Sequence, residues 1–207
     1  MGALDRQALS VSMTTSTPRG GFAGRAGAAM RVTQGGASMD RLILFRHGKA
    51  EAESASGEDF DRRLAPRGVA ESAGMGAQLA DMGFAPDVVL VSAAARTRET
   101  WAAAEPNFPK AHARFDEDLY HADSGCVRRE AERAGAGAGT VMIVGHNPGL
   151  QELAVQLLME GSAPASLIAR AARQFPTAAA AVFLFDDSGR PAFDGLFFPD
   201  RDPGRGA

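Results

Sequence analysis

Cysteine is almost missing from this chain. Its 207 residues include one, Cys126, so no internal disulfide framework holds the fold together, and the composition suits a reducing compartment. No motif surrounds Cys126, which reads as incidental rather than as a reactive thiol. Blocks of lysine or arginine are also missing. With 22 basic and 25 acidic residues and a net charge of -3, the chain has no footprint for nucleic acid. Its arginines occur one or two at a time, as a small anion site requires. No apolar stretch approaches the ~20 residues needed to span a bilayer, so no membrane association is expected and a cytoplasmic location is.

Two kinds of ligand motif are lacking as well. The four histidines (His47, His112, His121 and His146) show no H-x-x-x-H spacing and no cysteine pair accompanies them, so no metal is expected. No G-x-x-x-x-G-K occurs, and Gly135-Ala136-Gly137-Ala138-Gly139 precedes an apolar run instead of following one, the wrong order for a dinucleotide loop. No cofactor is expected, and no internal repeat is evident.

The first 38 residues are rich in Gly, Ala, Ser and Thr, with Arg6, Arg19, Arg25 and Arg31 opposed only by Asp5. They lack the apolar core of a secretory signal. Scarce acids and scattered arginines suit a transit peptide, but so polar a segment buries too little apolar surface to offset chain entropy. The preferred reading is a disordered extension over 1–38, a folded domain over 39–200 and a flexible tail over 201–207.

From Arg41 onward short apolar runs alternate with helical patterns. Arg41 to Phe45, Val88 to Ser92 and Thr140 to Val144 predict buried strands, with a weaker extended segment from Ala111 to Phe115. Helices are expected from Pro66 to a stop at Gly83, from Ala93 to Ala104 with Ser92 as N-cap, from Ser124 to Ala134 and from Leu150 to Met159. Ala178 to Phe185 and Arg190 to Phe197 predict a hairpin across Asp186-Asp187-Ser188-Gly189. This order implies a three-layer α/β/α fold with a mainly parallel sheet and an antiparallel edge.

Three strand ends carry the chemistry. Arg46-His47-Gly48 follows the first strand, Arg96 the second, and Gly145-His146-Asn147 the third. Open α/β sheets bind ligands at the carboxyl ends of their strands. Histidine with an ordinary pKa of ~6.5 is a capable phosphoryl acceptor near neutrality. Arginine offers phosphate a planar fork that lysine cannot copy. His47 therefore reads as a nucleophile with one ring nitrogen tied to a backbone carbonyl. Arg46 and Arg96 read as charge-neutralising groups, and His146, at a helix mouth, as a phosphate donor.

These motifs, Arg46-His47-Gly48, Ser92-Ala93-Ala94-Ala95-Arg96-Thr97 and Gly145-His146-Asn147, resemble those of the histidine phosphatase superfamily, over roughly Asp40 to Phe198. The resemblance implies the phosphoglycerate-mutase-like fold, a phosphohistidine formed on His47, and a phosphate held by Arg46, Arg96 and His146. Asp61-Arg62-Arg63-Leu64-Ala65-Pro66-Arg67-Gly68 is similar to the small SixA-like phosphohistidine phosphatase branch, in which Arg62 matches an additional arginine. Larger relatives place a general acid between the second arginine and second histidine motifs. Glu117 and Asp118 lie in that interval, but no family pattern singles out either.

A weakly defined acid suits a phosphohistidine protein as substrate, because an imidazole leaves with less help than an alkoxide. A small phosphomonoester and a non-catalytic phosphate-binding module are the alternatives.

Overall fold

The computed structural model describes residues 39–200; the expected extension over 1–38 and tail over 201–207 lie outside them. Six strands form one sheet: β1 (Arg41–Arg46), β2 (Val88–Ser92), β3 (His112–Asp116), β4 (Thr140–Gly145), β5 (Ala180–Phe185) and β6 (Pro191–Phe197). Their order is β3-β2-β4-β1-β5-β6. The first four are parallel, while β5 pairs antiparallel with both β1 and β6. The expected three-layer architecture and its antiparallel edge are both present.

Five helices cover the sheet: α1 (Pro66–Asp81), α2 (Ala95–Ala104), α3 (Ser124–Gly135), α4 (Gly149–Glu160) and α5 (Ala165–Arg173). The period of two along β1 sorts its side chains between the two faces. Leu42 and Leu44 pack with Val127, Leu150 and Ala171 from α3, α4 and α5. Ile43 and Phe45 pack with Met75, Leu79 and Trp101 from α1 and α2. All four β1 residues are at most 2% exposed, each contributing about 1.5–3 kcal/mol by leaving water. Doubly covered strands read as unbroken apolar runs for this reason.

Local chemistry starts and stops the helices. Pro66 opens α1, where a missing N–H is no loss, and Gly83 leaves it with φ +78°. Asp123 caps α3 by accepting from the Cys126 amide at 2.7 Å. Helix α2 departs from expectation. It begins at Ala95, its N-cap is Ala94, and no side chain caps it. Ser92 is the last residue of β2, and its hydroxyl is used elsewhere. Helix α5 was not anticipated. It is short, and Leu167, Ile168 and Ala171 give it an apolar face that packs on the core.

The β1 crossover leads to α1 on one face and the β4 crossover leads to α4 on the other. Because β1 and β4 are neighbours, the chain diverges between their carboxyl ends and opens a crevice there. Such a switch point is where open α/β sheets bind ligands.

Candidate active site

The two histidines stand on either side of that crevice. Arg46 and Gly145 are register partners, and the His47 amide donates to the Gly145 carbonyl at 3.0 Å. The rings that follow lie 5.2 Å apart between centroids, tilted by 54°. Adjacent parallel strands of matched register thus bring together residues 99 positions apart in the chain.

His47 Nδ1 lies 2.8 Å from the Gly48 carbonyl oxygen. A carbonyl only accepts, so Nδ1 carries the proton and Nε2 keeps its lone pair. Burial, then the charges of Arg96, Arg46 and Arg62, push the His47 pKa down to about 4, against the opposing effect of the Gly48 bond. The ring is therefore neutral at pH 7. Gly48 permits this tight loop, since a Cβ there would meet Gly68 O and Ser72 Oγ, each at 2.5 Å. Its amide donates to Thr100 Oγ1 at 2.9 Å, which in turn donates to the Arg96 carbonyl at 2.7 Å. Thr100 therefore ties the His47 turn to the first turn of α2.

His146 is 6% exposed. Its Nε2 lies 2.8 Å from Ser92 Oγ, while Nδ1 is buried with no partner. Burial and then the neighbouring His47 and Arg96 hold its pKa far down, at about 2, so it too is neutral. The Ser92 hydroxyl, donor or acceptor as the tautomer requires, anchors the ring through Nε2. Arg46 is similar. Its Nη1 donates to the Phe175 carbonyl at 2.6 Å, its Nε is buried without a partner, and burial lowers its pKa. The same carbonyl accepts from Asn147 Nδ2 at 3.1 Å. Gln151 Nε2 fixes the end of α5 through the carbonyls of Ala171 and Ala172, both at 2.9 Å. The unanticipated α5 is thus what presents Phe175 to Arg46.

Arg96 is 5% exposed and meets Asp59, in a short 3-10 turn at Asp59–Asp61. Arg96 Nη1 donates to the Asp59 carbonyl at 2.6 Å and Nη2 to Oδ2 at 2.9 Å. Arg62 Nη1 reaches Oδ1 at 2.7 Å, while its Nε holds the Glu51 carbonyl at 2.8 Å. The Tyr120 hydroxyl donates to Oδ2 at 2.8 Å. Hydrogen bonds from Tyr120 and Arg62, with the charge of Arg96, keep the Asp59 carboxyl well below the usual carboxylate range. Tyr120 is shifted up by burial and by Asp59, so it remains a hydroxyl donor.

Arg46, His47, Arg62, Arg96 and His146 are therefore brought to one place. Glu117 and Asp118 are exposed, and neither carboxylate shares a hydrogen bond or ion pair with this cluster. Glu117 offers its carbonyl to the Tyr120 amide at 2.9 Å, and the Asp118 amide donates to Asp116 Oδ1 at 2.9 Å. His121 has an exposed ring and stands at the rim. It stacks on Tyr120 at 4.0 Å, with its centroid 6.3 Å from that of His146.

Ser92, Asp59, Thr100 and Tyr120 escaped the sequence reading as members of the site. For Asp59 the available signal was its place three residues before Arg62 in a polar loop beside the first motif. Among the described residues no group of three or more His, Cys, Asp or Glu side chains could hold a metal ion, and no helix is long and apolar enough to cross a membrane.

Fold and site together define an α/β enzyme whose strand-end histidines sit among arginines, suited to a tetrahedral oxyanion. The model of the histidine phosphatase superfamily (branch 1) matches residues 42–136. An uncharacterized protein of Mycobacterium tuberculosis H37Rv is 39% identical over 124 residues, covering 60% of this chain and 77% of that one. A structure from Agrobacterium tumefaciens described as a candidate phosphohistidine phosphatase SixA superposes with TM-score 0.68 at 30% identity, over 78% of this chain and 99% of its own. The protein histidine phosphatase SixA complexed with tungstate superposes with TM-score 0.62 at 25% identity, over 77% and 97%. The chain belongs to the histidine phosphatase superfamily, in its SixA-like branch, and is a phosphatase.

Proposed function

We propose that this protein is a metal-independent phosphohistidine phosphatase working through a covalent phosphohistidine on His47. One observation carries the reading: His47 has its Nδ1 proton committed to Gly48, leaving an uncharged Nε2 beside His146 and within the field of three arginines. Tungstate, found on the SixA relative, is a tetrahedral oxyanion like phosphate and supports the same use of the pocket.

In the first step Nε2 of His47 attacks phosphorus and the bond from phosphorus to the substrate's ring nitrogen breaks. The departing imidazole keeps that electron pair and leaves neutral, its other nitrogen already bearing a proton. Water then attacks the phosphoryl group on His47, the P–N bond breaks, and inorganic phosphate and neutral His47 are released. Arg46, Arg62 and Arg96 offset charge on the transferring group, the dominant requirement of phosphoryl transfer. His146 contributes a further polar contact to that group from beside His47.

Neither the Glu117 nor the Asp118 carboxylate bonds to this network, which favours a leaving group that needs no acid. A phosphorylated protein side chain is the preferred substrate, ahead of a small phosphomonoester. The test is hydrolysis of a phosphohistidine protein, phosphoramidate and an aryl phosphate side by side. The phosphohistidine protein should be turned over at least tenfold faster in kcat/KM; an aryl ester turned over equally well would overturn this substrate assignment.

A further inference from the structure

Asp59 has no place in the reaction as written, yet it gathers more of the pocket than any other side chain. Its carboxylate and carbonyl take two N–H groups of Arg96, one of Arg62 and the Tyr120 hydroxyl, and His121 Nε2 stands 3.8 Å from Oδ2. Two guanidinium groups brought to one anion site repel each other, and Arg62 comes from a loop with little apolar anchoring. Asp59 offsets both problems, since its negative charge lies between the cations and its bonds pin the loop to the first turn of α2.

We propose that Asp59 is a positioning residue: it locks Arg62 and Arg96 into a single oxyanion clamp whose remaining N–H groups receive the phosphoryl oxygens. A guanidinium has five N–H donors. Arg96 uses two on Asp59, and Arg62 uses one on Asp59 and one on Glu51. Each therefore keeps three for an anion. Fixed rotamers at long arginine side chains reduce the entropy lost when substrate binds. Tyr120, donating to Oδ2 and lying under the Arg96 guanidinium at 5.7 Å, braces the same carboxylate from the opposite loop.

This proposal deepens the phosphatase reading and rests on it, but its test can be separated from it. Direct binding of inorganic phosphate, measured by calorimetry, needs no turnover, so it reports on the clamp whether or not His47 attacks. The experiment is a double-mutant cycle of Asp59→Ala and Arg62→Ala, read as the dissociation constant of inorganic phosphate by isothermal titration calorimetry and as kcat/KM on an aryl phosphate.

Each single variant should weaken phosphate binding about five- to tenfold, with kcat/KM falling mainly through KM. The double variant should lose less than the product of the two single losses, because part of what Asp59 does passes through Arg62 and part through Arg96. Asp59→Asn, which keeps an oxygen acceptor, should recover part of the loss. The Asp59 side chain is 44% exposed, so melting temperatures should stay within a few degrees. Tighter phosphate binding by Asp59→Ala would make this carboxylate a competitor for the pocket and overturn the proposal. So would losses that multiply in the double variant, or an Asn variant no better than Ala.

Discussion

The Ser92 hydroxyl lies 2.8 Å from Nε2 of His146, linking the carboxyl ends of β2 and β4 inside the protein. This contact fixes the orientation of the His146 ring beside His47. Ser92→Ala leaves the buried Nε2 without a partner and frees the ring to turn. A lost buried hydrogen bond of about 1–3 kcal/mol predicts a fall in kcat/KM of about tenfold or more, with little change in far-ultraviolet circular dichroism. Unchanged kinetics would show that His146 orientation does not depend on Ser92.

His47→Ala should abolish turnover and the acid-labile phosphate label together. Rapid acid quench with radiolabelled substrate checks the label, and steady-state assays check the rate. Full activity in this variant would end the covalent reading.

Arg96→Lys should retain the fold but lose about 10²- to 10³-fold in kcat, the usual scale for removing one oriented transition-state donor. A point charge on a flexible stem cannot hold the Asp59 carbonyl and carboxylate while also meeting a phosphoryl oxygen. Steady-state kinetics on one aryl phosphate checks it.

Gly48→Ala should damage stability and activity at once. Its Cβ would meet a backbone oxygen of Gly68 and the Ser72 hydroxyl at 2.5 Å, and Gly68 itself is pressed against Lys49. Crowding of this kind costs about 1–3 kcal/mol, and the displaced turn would release the Gly48 carbonyl from His47. Urea unfolding and kcat measured on the same preparation provide the test.

Acid should weaken the protein through His47. Its folded-state pKa of about 4 lies below the ordinary 6.5, so the unfolded chain binds more protons between those values. Stability is then fully present above pH 6.5, decreases as pH falls towards 4, and stops changing from this residue below 4. His146, lowered further, extends the loss in the same direction. NMR titration of the His47 ring should give a midpoint near 4; a midpoint above 6 would refute the buried, arginine-flanked environment.

Much of this was legible in the linear chain because the physics is local. An apolar run such as Leu42-Ile43-Leu44-Phe45 can only be a doubly covered strand, and a polar motif directly after it must lie at the sheet's edge. Three such junctions were enough to indicate the fold, Arg46, His47, Arg96 and His146, and the family. Boundaries shifted by one or two residues at every strand but β2: β1 and β4 run one residue further, to Arg46 and Gly145, β3 and β6 each start one residue later, and β5 starts at Ala180 because Ala178 has φ +59°. Ser92 was misjudged because serine before a helix is a good cap on local grounds; only the neighbouring β4 reveals a better partner for it in His146.

Residue order alone determined which groups stand at the strand ends and that their chemistry is cationic and imidazole-based, since period and polarity are written along the backbone. Tertiary structure decided that Phe175 steadies Arg46 and that Asp59 joins Arg62 to Arg96. Those contacts cross 129, 3 and 37 positions of the chain respectively. Hydrogen bonds of 2.6–2.9 Å depend on rotamers and loop paths that packing selects, and no local preference encodes them.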